Sequence, residues 1–294
     1  MNPRAWYFAL AAVMLAGAQG PPGTDIFLAD LHERGGRMEI GTPVNVTHRA
    51  GYDNQPSFTP DGRSFLYTSV ADGQADIWRY DIAVGHSVQL TKTTPESEYS
   101  ATPLPDGSGF SVVRVEADST QRLWQFDWEG GHSALLLAGV KPVGYHAWGD
   151  ANTVALFVLG QPATLQIADL RAGTAAPVAR DIGRGVQRIP GQRPAISFVQ
   201  KGADSVWSVN EIDLATREIR PLVRTLPGVD QYAWTPGGVL LMATGAKLYQ
   251  WNRARGADWE EVTDLTALGI DSITRLAVSR QGDRLALVAA DRAH

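Results

Sequence analysis

Between Tyr52 and Thr91 apolar and polar positions fall into four short runs: Pro56-Ser57-Phe58, Arg63 to Ser69, Asp76 to Ile82 and Ser87 to Thr91. Thr59-Pro60-Asp61-Gly62 and Ala71-Asp72-Gly73-Gln74 separate the first three. Pro-Asp-Gly and Asp-Gly between apolar runs mark hairpins, because Asp and Gly supply the positive-φ residues that tight turns require. The stretch therefore predicts a four-stranded antiparallel meander.

Weaker copies of the module follow. Phe58, Pro103, Trp148, Ile189, Trp234 and Val278 stand at the equivalent position before the first turn, at spacings of 45, 45, 41, 45 and 44 residues. A second marker, an apolar or aromatic pair closed by Asp or Asn, recurs in the third strand. Its copies are Ile26 to Asp30, Ile77 to Asp81, Leu123 to Asp127, Leu165 to Asp169, Val209 to Asp213 and Leu248 to Asn252. A period near 44 residues is that of propeller blades. The last copy, Thr274 to about Ala289, supplies two strands, and the segment from Ile26 to Thr47 supplies a third and a fourth. The expected fold is all-β: a six-bladed β-propeller of four-stranded antiparallel blades, its ring closed by strands from both termini, which removes exposed sheet edges. Unbroken apolar runs such as Ala155 to Leu159 suit strands buried on both faces. Trp78, Trp124 and Trp251 are accordingly read as packing between blades.

Composition narrows the setting. The 294 residues are 44% apolar and carry 30 Gly and 17 Pro, which favours many turns over long helices. A net charge of −5, with no Lys/Arg run, gives no reason to expect nucleic acid as a partner. Met1-Asn2-Pro3-Arg4, an apolar run from Ala5 to Leu15 and Ala16-Gly17-Ala18 read as a signal peptide over residues 1–18, leaving 19–294 as the propeller. No membrane span is expected after cleavage, and the expected location is periplasmic or secreted. With no cysteine, lipid attachment through Cys, disulfides and thiol chemistry are excluded.

Pro56-Ser57-Phe58-Thr59-Pro60-Asp61-Gly62-Arg63, then Asp76-Ile77-Trp78, then Gln89-Leu90-Thr91, resembles the WD-repeat-like Pro-Asp-Gly repeats of the TolB-like propeller family. Pro105-Asp106-Gly107, Trp234 to Gly238 and Val278 to Gly282 echo it. The resemblance implies a six-bladed propeller in an exported protein; TolB itself carries an α/β domain before its propeller, whereas here only a few residues separate the expected cleavage site from the first expected strand.

In a propeller, the loops leading into each innermost strand ring one mouth of the central channel, the default ligand site. That geometry selects Asp53, Asn54, Glu98, Tyr99, Tyr145, His146, Arg188 and Asp230, with Arg114 and Glu116 from a neighbouring hairpin. Asp53 and Glu98 share an offset, so together they suit a cation or a basic side chain. His146 is the candidate for acid/base work. Asn54, Glu98, His146 and Asp230, from four blades, would suit calcium if they converged. The sequence has no Gly-x-Ser-x-Gly elbow, no His-Glu-x-x-His helix and no Walker loop. Asn45-Val46-Thr47 matches a glycosylation sequon but falls in an expected strand. The leading expectation is a non-catalytic propeller, with no cofactor, that binds a protein, a peptide or a small ligand at this mouth. The alternative is a metal-dependent, lactonase-like hydrolase at the same place.

Overall fold

A computed structural model describes residues 22–290 apart from 192, 204, 205 and 257. The signal-peptide expectation for residues 1–18 lies outside the described residues. Strand β1 (Thr24–Arg34) turns back into β2 (Arg37–Ile40), and β3 (Val44–Asn45) returns beside β1. Next come β4 (Tyr52–Phe58), β5 (Ser64–Ala71), β6 (Gln74–Asp81) and β7 (His86–Gln89), an antiparallel meander. Four separate sheets of four antiparallel strands follow. They are β8 (Ser97–Pro103) to β11 (Ala134–Leu135) through β9 (Gly109–Val115) and β10 (Gln121–Asp127); β12 (Val143–Trp148) to β15 (Thr174–Arg180) through β13 (Thr153–Val158) and β14 (Thr164–Asp169); β16 (Ile182–Arg188) to β19 (Ile219–Arg224) through β17 (Ala195–Lys201) and β18 (Trp207–Asp213); and β20 (Tyr232–Trp234) to β23 (Glu260–Asp264) through β21 (Val239–Thr244) and β22 (Lys247–Asn252). Finally β24 (Arg275–Val278) pairs with β25 (Arg284–Ala290), and β25 pairs antiparallel with β1 from Thr24↔Ala290 to Asp30↔Arg284. Strands from both ends of the described chain thus share one sheet. A single parallel bridge, Thr24↔Tyr52, joins that sheet to the β4–β7 meander, giving nine strands in all.

Both sequence markers have a structural cause. Phe58, Pro103, Trp148, Trp234 and Val278 end their strands, and Ile189 lies one residue past Arg188. After Phe58, Thr59 Oγ1 donates to Asp61 Oδ1 at 2.7 Å, and Gly62 takes φ 71° to close the turn. The third-strand Asp residues turn the chain. Asp81 Oδ1 accepts from the N–H groups of Ala83 and Val84, and Asp127, Asp169 and Asp213 do the same for their own turns. Third and fourth strands are locked by a repeated clasp. Thr91 Oγ1 donates to Asp76 Oδ1 at 3.1 Å and accepts from Ile77 N at 2.8 Å, while Thr47 does the same for Asp25 and Ile26. Asn45, the sequon residue, gives its Nδ2 to Asp25 at 2.7 Å within that clasp.

The apolar core is divided among clusters lying between neighbouring sheets. Tyr145, Ala155 and Ile167 pack on Ile196, Phe198 and Ile212, and Leu104, Val113 and Leu123 pack on Val154 and Leu156. Ile26, Ala286 and Val288 pack on Phe58, Phe65 and Tyr80, so the sheet shared by the two chain ends is welded to the β4–β7 meander. Trp78, Trp124 and Trp251 sit in or against these clusters, as expected.

Candidate functional site

The first strands β4, β8, β12, β16, β20 and β24 surround a cavity of about 880 Å³ to which each contributes residues. Each touches the next, and β24 also touches β4. The expected loop placement of the candidate residues does not hold. Asp53, Asn54, Glu98, Tyr99, Tyr145, His146 and Arg188 lie inside first strands, not in loops, and Asp230 lies two residues before β20. The strands start earlier than the apolar pattern suggests because their leading residues are polar yet buried. Asp53 and Glu98 are fully covered, and Asn54, Tyr145, His146 and Asp230 are each 7% exposed.

Most of these side chains already have protein partners. Asp53 Oδ1 accepts from Arg49 Nε at 3.1 Å and Nη2 at 2.7 Å, and the same guanidinium reaches Val70 O and Ser69. Glu98 Oε1 accepts from Arg114 Nε at 2.9 Å and Thr93 Oγ1 at 2.6 Å. The shared offset of Asp53 and Glu98 thus marks two separate carboxylates, each with its own basic side chain. Burial raises the pKa of both above the ordinary carboxylate range, against the pull of their hydrogen-bonding partners. Arg114 also lies over Trp124, 4.4 Å from the ring centroid. Glu116 forks onto Arg122 at 2.7 and 2.5 Å and accepts from Trp124 Nε1, on the β9–β10 hairpin.

Arg184 and Asp230 pair between β16 and the approach to β20, with Nη2 to Oδ1 at 3.1 Å and Nε to Oδ2 at 3.2 Å. Burial would raise the Asp230 carboxyl, but the Arg184 charge and hydrogen bonds outweigh it and hold the carboxyl low. Glycine is needed here: a Cβ on Gly185 would lie 2.1 Å from Asp230 O. Arg275 of β24 donates Nη2 to Tyr145 Oη of β12 at 3.1 Å, and its guanidinium lies 5.1 Å from that ring. These strands are not neighbours, so the contact crosses the cavity near the end at which the chain enters its first strands. Burial raises the Tyr52 hydroxyl pKa in the same neighbourhood, against the pull of the Arg275 and Arg184 charges.

His146 is explained by the repeat. Its Nε2 meets Ser111 Oγ of β9 at 2.7 Å, and Trp148 Nε1 donates to the same oxygen at 2.9 Å. Two modules on, Tyr232 Oη and Trp234 Nε1 donate to Ser197 Oγ at 2.9 and 2.8 Å, with the same sequence separations of 35 and 37 residues. Burial lowers the His146 pKa to about 3, so the ring is neutral. This histidine occupies a tyrosine's place in a clasp between sheets. Ser111 and Ser197 lie outside the set of residues selected from the sequence; their signal is a serine at a matching second-strand position.

The four residues considered for calcium are bound elsewhere. Asn54 Nδ2 donates to Thr24 Oγ1 and its Oδ1 accepts from Gln55 N, while Glu98, His146 and Asp230 hold the partners given above. Among the described residues no group of three His, Asp or Glu is arranged to hold a metal ion. The donor set as built does not fit that ion.

Comparison with known proteins agrees with this architecture. No protein-family profile matches the chain. An uncharacterized protein of Agrobacterium fabrum is 30% identical over 81 residues, 28% of this chain and 27% of that protein. A protein assigned as TolB in Agrobacterium tumefaciens superposes with a TM-score of 0.69 at 15% identity, over 93% of this chain and all of that one. TolB from Acinetobacter baumannii gives 0.58 at 14%, over 90% of this chain and 64% of that one. The fold is that of a TolB-like β-propeller. A gluconolactonase from Xanthomonas campestris is similar in fold, with a TM-score of 0.62 at 9% identity over 94% of this chain and 99% of that one. No helix among the described residues is long and apolar enough to cross a membrane.

Proposed function

We propose that this chain is an exported, non-catalytic propeller of six blades that binds its ligand in the central channel. Six blades follow from counting β24–β25–β1–β3 and β4–β7 as two antiparallel units beside the four separate sheets. The contacts between first strands form a cycle through β24 and β4, which supports a closed ring. The observation that carries the binding reading is the cavity itself. It is about 880 Å³, within the size range of small-molecule sites, and buried polar atoms without protein partners line it. The earlier candidates Asp53, Glu98, Arg114, Asp230 and His146 brace the channel wall, and Arg188 is the candidate left free to touch a ligand. Fold likeness does not assign chemistry, and the dispersed calcium candidates weigh against the lactonase-like alternative. Removal of residues 1–18 and a periplasmic or secreted location complete the proposal.

The test is equilibrium dialysis of the mature protein against the low-mass fraction of an envelope extract, with mass spectrometry of retained compounds. Ser57→Trp, which places an indole in the channel lining, is the control. The reading expects a compound retained by the wild type, unaltered in mass, and lost with the folded Ser57→Trp variant. A converted compound would favour a hydrolase, and equal retention by both proteins would remove the channel as the site.

A further inference from the structure

The channel wall has a chemical sign. Gln55, Ser100, Tyr145, Gln231 and Arg275 stand three residues before their strand-end markers and line the cavity. Gln55 Oε1 accepts from Ser100 N at 2.6 Å and Thr68 Oγ1 at 2.9 Å, which fixes the amide and leaves Nε2 as a donor without a protein partner. Gln55 is 4% exposed, and Ser100, 9% exposed, has an unpartnered Oγ. Gln231 Nε2 is buried and unpartnered as well.

Two residues further along, Ser57, Thr102, Ala147, Ala233 and Ala277 pair with Leu66, Ser111, Ala155, Leu241 and Ala286 of their second strands. Gln187, paired with Ser197, holds the matching position in the sixth module, where it donates Nε2 to Tyr232 O. All six line the cavity. Arg188, the last residue of β16, stands level with the strand-end residues Phe58, Pro103, Trp148, Trp234 and Val278, which also line the cavity, and is the charged residue among them. Arg188 makes no hydrogen bond or ion pair among the described residues, and nor does Arg280 on the turn that follows β24. The other arginines of the lining are engaged, Arg184 with Asp230 and Arg275 with Tyr145. The acidic residue of the lining, Asp106, accepts from Ser108 within its own turn.

We infer that the channel takes a small oxyanion, a carboxylate or a phosphate, that enters from the end rimmed by Pro60, Pro105, Pro236 and Arg280 and is held by Arg188 below the Gln55, Ser100 and Gln231 donors. The Arg275–Tyr145 contact spans the cavity toward the opposite end. A guanidinium fork matches either oxyanion in bidentate fashion, and neutral amide donors add direction without compensating charge. This inference rests on the channel-binding reading and narrows its ligand class.

Calorimetric titration with citrate, inorganic phosphate and glucose, on the wild type, Arg188→Ala and Arg280→Ala, tests it. Saturable binding of citrate or phosphate is expected, and which of the two binds tells carboxylate from phosphate recognition. Arg188→Ala should weaken binding roughly ten- to hundredfold, the loss of one charge-assisted bidentate contact. Glucose should give no heat. Binding unchanged in Arg188→Ala, or absent for both anions, would overturn the inference. A neutral or cationic compound retained in dialysis would do so too while leaving the channel reading intact, whereas no retention of any compound would remove that reading itself.

Discussion

The Glu98–Arg114 pair allows a quantitative test of how the channel wall is braced. The two residues face each other directly across β8 and β9, their contact is 2.9 Å, and their side chains are 0% and 7% exposed. One atom of each, Glu98 Oε2 and Arg114 Nη2, has no further protein partner, so each charge depends on the other. Removing one partner leaves a buried ion uncompensated, which costs about 3–5 kcal/mol. Arg114→Met should fall in that range and also lose the contact with Trp124, about 0.5–2 kcal/mol. Glu98→Gln strands the guanidinium and should cost about 3 kcal/mol. The double variant Glu98→Leu/Arg114→Met replaces the pair with apolar groups in an apolar setting and should lie within about 2 kcal/mol of the wild type. Urea unfolding followed by tryptophan fluorescence measures the cycle, completed with the Glu98→Leu single variant, and the coupling energy should exceed about 2 kcal/mol. In a melt, 3 kcal/mol corresponds to a fall of roughly 6–12 °C for a chain of this size. Single variants each costing under about 1 kcal/mol, or a double variant equal to the sum of the singles, would refute the reasoning.

Other outcomes follow from the same geometry. Ser111→Ala and Ser197→Ala each leave two ring donors or acceptors without their shared oxygen, and should destabilise by a similar 1–3 kcal/mol each in the same unfolding assay. Because the folded-state pKa of His146 is depressed to about 3, the unfolded chain binds a proton there that the folded chain refuses. Stability should therefore fall as pH drops from about 6.5, at up to roughly 1.4 kcal/mol per pH unit for this one group, and His146→Gln should flatten that limb in melts between pH 7 and 4. Gly185→Ala forces a Cβ toward Asp230 O and should cost about 1–3 kcal/mol, whereas Gly139→Ala, with nothing within 4 Å, should be close to neutral.

How far the sequence discloses this molecule depends on the kind of interaction involved. The module boundaries were legible because turns demand particular residues: five strand-end markers from Phe58 to Val278 fall at strand ends, and the third-strand Asp residues cap their turns. The pairing of strands from both chain ends was legible because half a module lay at each end, and β1 and β25 do pair. The β1–β2 hairpin through Gly35 and Gly36 was not, since its alternating residues Glu33, Arg34, Arg37 and Glu39 are mainly polar. Nor were the first-strand starts. Alternation marks a strand by its apolar face, whereas Asp53 and Glu98 are buried by arginines supplied from Arg49 before the strand and Arg114 on the next one. A register shift between Asn54 and Ser57, with Gln55 at φ 62°, further breaks the period of two. Partner choice is set by three-dimensional proximity, and spacing along the chain does not encode it. Arg188 was picked out as a loop residue at the mouth; its place level with the strand-end residues Phe58, Pro103, Trp148, Trp234 and Val278 emerges only from strand register, because Ile189 lies one residue past the end of β16.

The central claim is that the channel is the ligand site, and a crystal structure of the mature protein with the compound retained in dialysis tests it most directly. The account predicts density for the intact compound inside the channel, within hydrogen-bonding distance of Arg188. Density confined to the outer surface, or a hydrolysed product bound at Glu98 and Asp230, would contradict it.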